Sequence, residues 1–211
     1  MLDWAILFFD FPRKTRILLT YPDKRPKYGV MKFTPTNLKE VILIEPGVFS
    51  DTRGFFMETY NRKVFVEHGI TDEFVQMNHS KSIKNTLRGM HYQTGQPQSK
   101  LVRVINGAVF DVVVDIRHGS PTFGKWIAEE LSAENKKMLY VPIGFAHGFC
   151  ALSDEAEFVY QCGGYYYPPG ERGIIWNDPD IDIEWPVKEP LLSDKDKRNS
   201  LLKDLEKDFS I

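Results

Sequence analysis

The sequence predicts an all-β protein, a double-sheet jelly roll with short helices at its periphery. Three observations carry that reading. Short β-rich runs recur from Val41 onward, turn residues separate them at regular spacing, and helical patterning is confined to the margins. The chain shows no internal repeat and no low-complexity tract.

The elements follow in order. Residues 1–30 differ from the rest, mixing basic residues with Pro12, Pro22 and Pro26. They read as an N-terminal extension or arm on a jelly-roll domain over residues 31–211. VILIEPGVF is a β-rich run stopped by Pro46-Gly47, and GFFMETY (54–60) alternates after a turn at 51–54. Asn61 is placed to cap a short helix reaching His68, with Gly69 at the left-handed stop. Asn106-Gly107 suits a type I′ turn, so Val104–Val109 reads as a hairpin. Beyond it, Phe110, Val112, Val114 and Ile116 face one way, and Asp111, Val113, Asp115 and Arg117 the other. Lys137–Val141 is another strand, turned by Pro142-Ile143-Gly144, and Phe149–Leu152 with Glu157–Cys162 reads as a further pair. Leu201, Leu202, Leu205 and Phe209 stand at helical spacing and predict a C-terminal helical tail.

Composition narrows the function classes. A length of 211 residues fits one domain with a full core. Lys and Arg number 27 against 29 Asp and Glu, a net charge of -2, which argues against a general nucleic-acid or membrane-surface binder. Cys150 and Cys162 read as reduced thiols of a cytoplasmic protein. The apolar start MLDWAILFFDF is short, carries Asp3 and Asp10, and lacks a basic leader, so it reads as neither signal peptide nor membrane helix.

The chemistry centres on LRGMHYQ, residues 87–93, placed just before a strand pair. It sets the anion-binding Arg88, a small hinge at Gly89 and a potential base, His91, within four positions. A lone histidine is more often a structural one, but His147 in PIGFAHGF supplies a second. Lys100 follows the polar loop TGQPQS and heads a strand; alone it would be a solvated lysine. Tyr160 in EFVYQC is either a core tyrosine or a proton donor aimed into the barrel. Asp196 in LLSDKDKRN is either a surface acid near a helix start or a carboxylate that orients an imidazole.

The two histidines raise the question of a metal. Cupin-type jelly rolls often hold one through HxH, a downstream Glu and a later His in PxGxxH. Pro142 to His147 resembles the second half of that pattern. The first half departs from it: Gln93 stands two positions after His91, and no Glu occurs before Gly107 in that stretch. An amide is a poor ligand for a transition metal, so we assign no metal site.

The set SDTRGFFMETYN, FVQMNHSKS, LRGMHYQ, KLVRVINGAVFDVVVDIR, SPTFGKW, LSAENKKMLYVPIGFAHGF, EFVYQC and WNDPDIDIEWP resembles the dTDP-4-dehydrorhamnose 3,5-epimerase family, in order from about Val41 to Asp196. The resemblance implies a cupin-type jelly roll, a homodimer, no cofactor, and inversion of the two carbons flanking a ketone on a dTDP-sugar. It implies that His91 removes a proton, Asp196 pairs with His91, Tyr160 returns a proton to the opposite face, and Lys100 stabilises the enolate. It further implies substrate contacts from Arg53, Glu58, Gln76, Arg88, His147, Glu171 and Lys195, with Tyr165 packing near the nucleotide.

Physical chemistry agrees with those roles. A proton beside a ketone is acidic only if the enolate oxygen is stabilised, which Lys100 or His147 would do. Inversion needs two groups acting on opposite faces. Alternatives are a single-carbon epimerase of a related keto-sugar, a metal-dependent cupin enzyme using His91 and His147, and a non-catalytic sugar-nucleotide binding module.

Overall fold

A computed structural model describes residues 30–211. The reading of an N-terminal arm therefore falls, but for its last residue, outside the described residues. In chain order the strands are β1 (Lys32–Pro35), β2 (Ile42–Glu45), β3 (Val48–Asp51), β4 (Gly54–Met57), β5 (Gln76–Ile83), β6 (Leu87–Gln93) and β7 (Lys100–Asn106). They continue with β8 (Ala108–Asp115), β9 (Trp126–Ser132), β10 (Met138–Val141), β11 (Phe145–Ala151), β12 (Glu155–Cys162) and β13 (Glu171–Gly173). Helix α1 (Arg62–Glu67) lies between β4 and β5; Asn61 caps it by accepting from the Lys63 amide, and Gly69 follows at φ +84°.

Two sheets face each other. One runs β1-β2-β10-β7-β12-β5 and the other β13-β6-β11-β8-β9, while β3 and β4 form a separate hairpin. The main core lies between the sheets, where Val102, Val104 and Phe158 meet Val109, Val113, Phe145 and Phe149. A second cluster covers the outer face of the five-stranded sheet, with Met90, Tyr92, Val112 and Val114 under Ile181, Trp185, Leu202, Leu205 and Phe209. The predicted two-faced character of β8 follows from this: one face looks into each cluster.

Three local expectations are corrected. Asn106-Gly107 is not a hairpin turn. β7 pairs with β10 and β12, and β8 with β9 and β11, so the turn carries the chain from one sheet to the other. Gly107 is required there: its φ is +72°, and a Cβ would sit 2.1 Å from the Glu155 carbonyl oxygen. For the same reason β11 and β12 are not partners; β11 pairs with β6 and β8, and β12 with β5 and β7. In a jelly roll, consecutive strands often change sheets, and alternation along one strand says nothing of its neighbour.

The C-terminal helical tail is also corrected. Only single 3-10 turns form, at Asp196–Arg198 and Leu202–Asp204. The apolar residues are buried as their spacing suggested, but the backbone is used elsewhere. The Ser200 carbonyl accepts from the Ile175 amide, and His118 exchanges bonds with Phe209 and Ile211. The tail is thus an extended strap, which leads residues 191–196 past β6.

Candidate active site

Where the inter-sheet core ends, side chains that continue the core-facing rows become polar. On β6, Met90 and Tyr92 point to the outer cluster, so His91 points between the sheets. On β7, Lys100 continues the row of Val102 and Val104; on β11, His147 lies between Phe145 and Phe149; on β12, Tyr160 follows Phe158. His91 therefore lies within a strand, not ahead of one as the sequence suggested.

The approach of β6 to β11 depends on glycine. A Cβ on Gly89, whose φ is +139°, would lie 2.5 Å from the Cα of Gly148. The two strands meet there at a register shift, and His91 and His147 are direct cross-strand partners. The glycine that read as a hinge is a point of close backbone contact.

A cavity of about 570 Å³ opens at this end, with His91, Lys100, His147, Tyr160, Glu171 and Asp196 in its wall. A smaller chamber of about 110 Å³ shares His91, Lys100, Tyr160 and Glu171 and adds Gln76, Asn78 and Tyr166. The two sheets thus present an imidazole and a phenol to a common space.

Each group is set electrostatically. His91 Nε2 lies 2.5 Å from Asp196 Oδ1, and Asp196 Oδ2 accepts from Ser193 Oγ at 2.8 Å. Burial alone would raise the Asp196 carboxyl, but the bonds from His91 and Ser193 outweigh it and hold it below its usual value. Burial pushes the Tyr160 phenol up, so it is a proton carrier at neutral pH. Burial lowers the Lys100 amine, against the opposing pull of Cys162, Asp111 and Glu171. Arg88 stands at the cavity edge, with Nε donating to Ser82 Oγ at 3.0 Å and Nη2 to the Lys81 carbonyl at 3.1 Å. Glu171 pairs with Lys195 and accepts from the Tyr166 hydroxyl at 3.0 Å.

Of the residues singled out by sequence, His91, Lys100, Tyr160, Asp196, Gln76, Arg88, His147, Glu171 and Lys195 line these two spaces. Arg53 and Glu58 line neither. Arg53 pairs with Asp51 at the tip of the β3–β4 hairpin, and Glu58 accepts from Asn61. Tyr165 is 64% exposed and outside both chambers; the neighbouring Tyr166 is the tyrosine in the wall. Three adjacent tyrosines gave no sequence signal to choose between them. Gln93 acts as a staple: it donates to the Gln96 and Tyr165 carbonyls and accepts from the Tyr167 amide. Sequence reasoning also missed Ser193, three positions before Asp196, and Asp111, whose signal was an acid alternating with core valines. Among the described residues, no group of three or more His, Cys, Asp or Glu side chains is arranged to hold a metal ion. No described helix is long and apolar enough to cross a membrane.

The fold is a cupin-type jelly roll, and the chain is an enzyme of the isomerase class. A family model described as dTDP-4-dehydrorhamnose 3,5-epimerase matches residues 35–204. The chain is 60% identical over 169 residues to the dTDP-4-dehydrorhamnose 3,5-epimerase of Shigella flexneri, covering 79% of this chain and 93% of that protein. The Pseudomonas aeruginosa protein of the same name is 53% identical over 176 residues, covering 82% and 97%. The crystal structure of the Legionella pneumophila epimerase in complex with dTDP-4-keto-L-rhamnose superposes with a TM-score of 0.82 at 49% identity, covering 84% of this chain and 95% of that one. This chain belongs to the dTDP-4-dehydrorhamnose 3,5-epimerase family.

Proposed function

We propose that the protein inverts carbons 3 and 5 of dTDP-4-dehydro-6-deoxy-D-glucose, giving dTDP-4-dehydro-L-rhamnose in dTDP-L-rhamnose synthesis, without a cofactor. The observation that carries the reading is the pairing of His91 with Asp196 on one sheet's side of a cavity whose other side holds Tyr160. His91 removes the proton from the carbon beside the C4 ketone, and the electron pair moves onto the ketone oxygen as an enolate. Lys100 and His147 stabilise that oxygen. Tyr160 returns a proton to the opposite face, restoring the ketone, and recovers its own from solvent, while His91 releases the abstracted proton to solvent. The second carbon follows by the same cycle.

Arg88 and Lys195 meet the diphosphate, since guanidinium and ammonium suit phosphate oxygens. The reading includes Gln76 and Glu171 as sugar-nucleotide contacts, a homodimer as the working unit and the cytoplasm as its place. Arg53, Glu58 and Tyr165 belong to it as nucleotide contacts only if association or substrate brings them to the cavity.

Proton NMR of the keto-sugar in heavy water tests the activity. Deuterium at both flanking carbons with L-rhamno product is the expected result. Exchange at one carbon would convert the assignment to a single-carbon epimerase, and no exchange would overturn it. Elemental analysis with chelation decides the metal-dependent alternative: stoichiometric metal and chelator-sensitive activity would replace the cofactor-free reading.

A further inference from the structure

We propose that Asp111 is a positioning residue for His147, forming a second His–carboxylate pair that presents the ring's Nδ1 to the enolate oxygen. The identity of that oxygen rests on the function proposed above; the pair itself does not.

The alternation of β8 puts Asp111 between Val109 and Val113 on the core-facing row, fully buried. Both carboxylate oxygens reach His147 Nε2, at 2.9 and 3.0 Å. A carboxylate only accepts, so Nε2 carries the proton. Nδ1 makes no hydrogen bond to any described residue, yet it is not sealed off. The one buried polar side-chain atom without a partner among the described residues is Gln161 Oε1. The His147 side chain lines the large cavity, so Nδ1 is the nitrogen open to it. Phe158 stacks beside the ring, with centroids 6.1 Å apart.

Register supplies the reason for this placement. His147 and His91 are cross-strand partners, and such side chains stand close enough to act on neighbouring groups of one small molecule. If His91 takes the proton from a carbon beside the ketone, the ketone oxygen two bonds away falls to His147. His147 enters the step as the imidazolium, with one proton on Nε2 held by Asp111 and a second, taken from solvent, on Nδ1. That Nδ1–H donates to the oxygen as it becomes anionic, and the Asp111 charge behind the ring stabilises the cation. A carboxylate buried among valines and phenylalanines is poorly explained by packing alone, because an apolar residue would serve there as well. The two pairs divide the work: His91–Asp196 handles the carbon-bound proton, and His147–Asp111 the oxygen.

The test combines three Asp111 variants and a His147→Gln background with two readouts. Asp111→Asn keeps an acceptor but removes the charge, and Asp111→Val removes both. With the keto-sugar, Asp111→Asn should lower kcat for solvent exchange about 100-fold, the scale of a lost oxyanion donor, with KM and dTDP affinity little changed. In a His147→Gln background, Asp111→Asn should cost less than about threefold more, since the two residues act as a unit. Asp111→Glu should recover part of the loss. An additive loss, or a loss confined to KM or to thermal stability, overturns the proposal and leaves Asp111 as a core residue.

The second readout is nitrogen-15 NMR of the histidine rings in the free protein, with His147 assigned from the His147→Gln spectrum. The wild type should show a proton fixed on Nε2, and Asp111→Val should lose it. If the wild type lacks exchange activity but shows this signature, the proposed function fails and the pair stands. If the signature is the same in Asp111→Val, the pair fails whatever the activity.

Discussion

His91 and Asp196 stand 105 positions apart in the chain, and their side chains meet at 2.5 Å. Asp196 is only 3% exposed, on a 3-10 turn that the C-terminal strap carries past β6. The strap therefore completes the wall of the cavity while it covers the outer face of the sheet.

That contact fixes which imidazole nitrogen is free. With Nε2 bonded to the carboxylate, Nδ1 is the nitrogen left for the base role proposed for His91. Asp196→Asn should lower the rate of deuterium incorporation about 10²- to 10⁴-fold, and His91→Ala should abolish it. Undiminished exchange in His91→Ala would remove His91 from the role of base.

In the proposed mechanism Tyr160 acts after the enolate forms, and burial pushes its phenol up, which favours the protonated form. Tyr160→Phe should slow product formation more than the first proton exchange, measured together in heavy water. Equal loss of both would argue against the phenol as the returning acid.

Gly89 and Gly148 set the spacing of the two histidine-bearing strands. Gly89→Ala puts a Cβ against backbone at a φ that disfavours any side chain. It should cost about 1–3 kcal/mol in urea unfolding and reduce exchange activity as well. A variant of wild-type stability would show that the strands can part freely.

Asp115, at the end of β8 beyond Asp111, contributes to acid stability. Burial would raise its carboxyl, but bonds from Arg117, Ser120 and Thr122 hold it at about 2, against 3.8 for the free group. The unfolded chain binds this proton more readily, so the contribution is fully present above about pH 4 and is lost as pH falls through 2. It amounts to about 2 kcal/mol. The stability gap between wild type and Asp115→Asn, followed by urea unfolding, should narrow by that amount between pH 7 and pH 2. A constant gap would mean that Asp115 titrates alike folded and unfolded.

The sequence alone determined the strand-rich character, the two faces of β8, the helix cap at Asn61 and the family, because these rest on local spacing and on linked motifs. It also marked His91, Lys100 and Tyr160, which sit in strands whose alternation is readable. Tertiary structure decided the rest. Turn chemistry at Asn106-Gly107 specifies a sharp bend, but only packing decides whether the bend joins partners or changes sheets. The spacing of Leu202, Leu205 and Phe209 specifies burial, and the edge bonds to Ile175 and His118 decided that the tail stays extended. The pairings of His91 with Asp196 and His147 with Asp111 join residues 105 and 36 positions apart, and no local pattern encodes such contacts. They exist because two sheets and a strap converge where the apolar core ends.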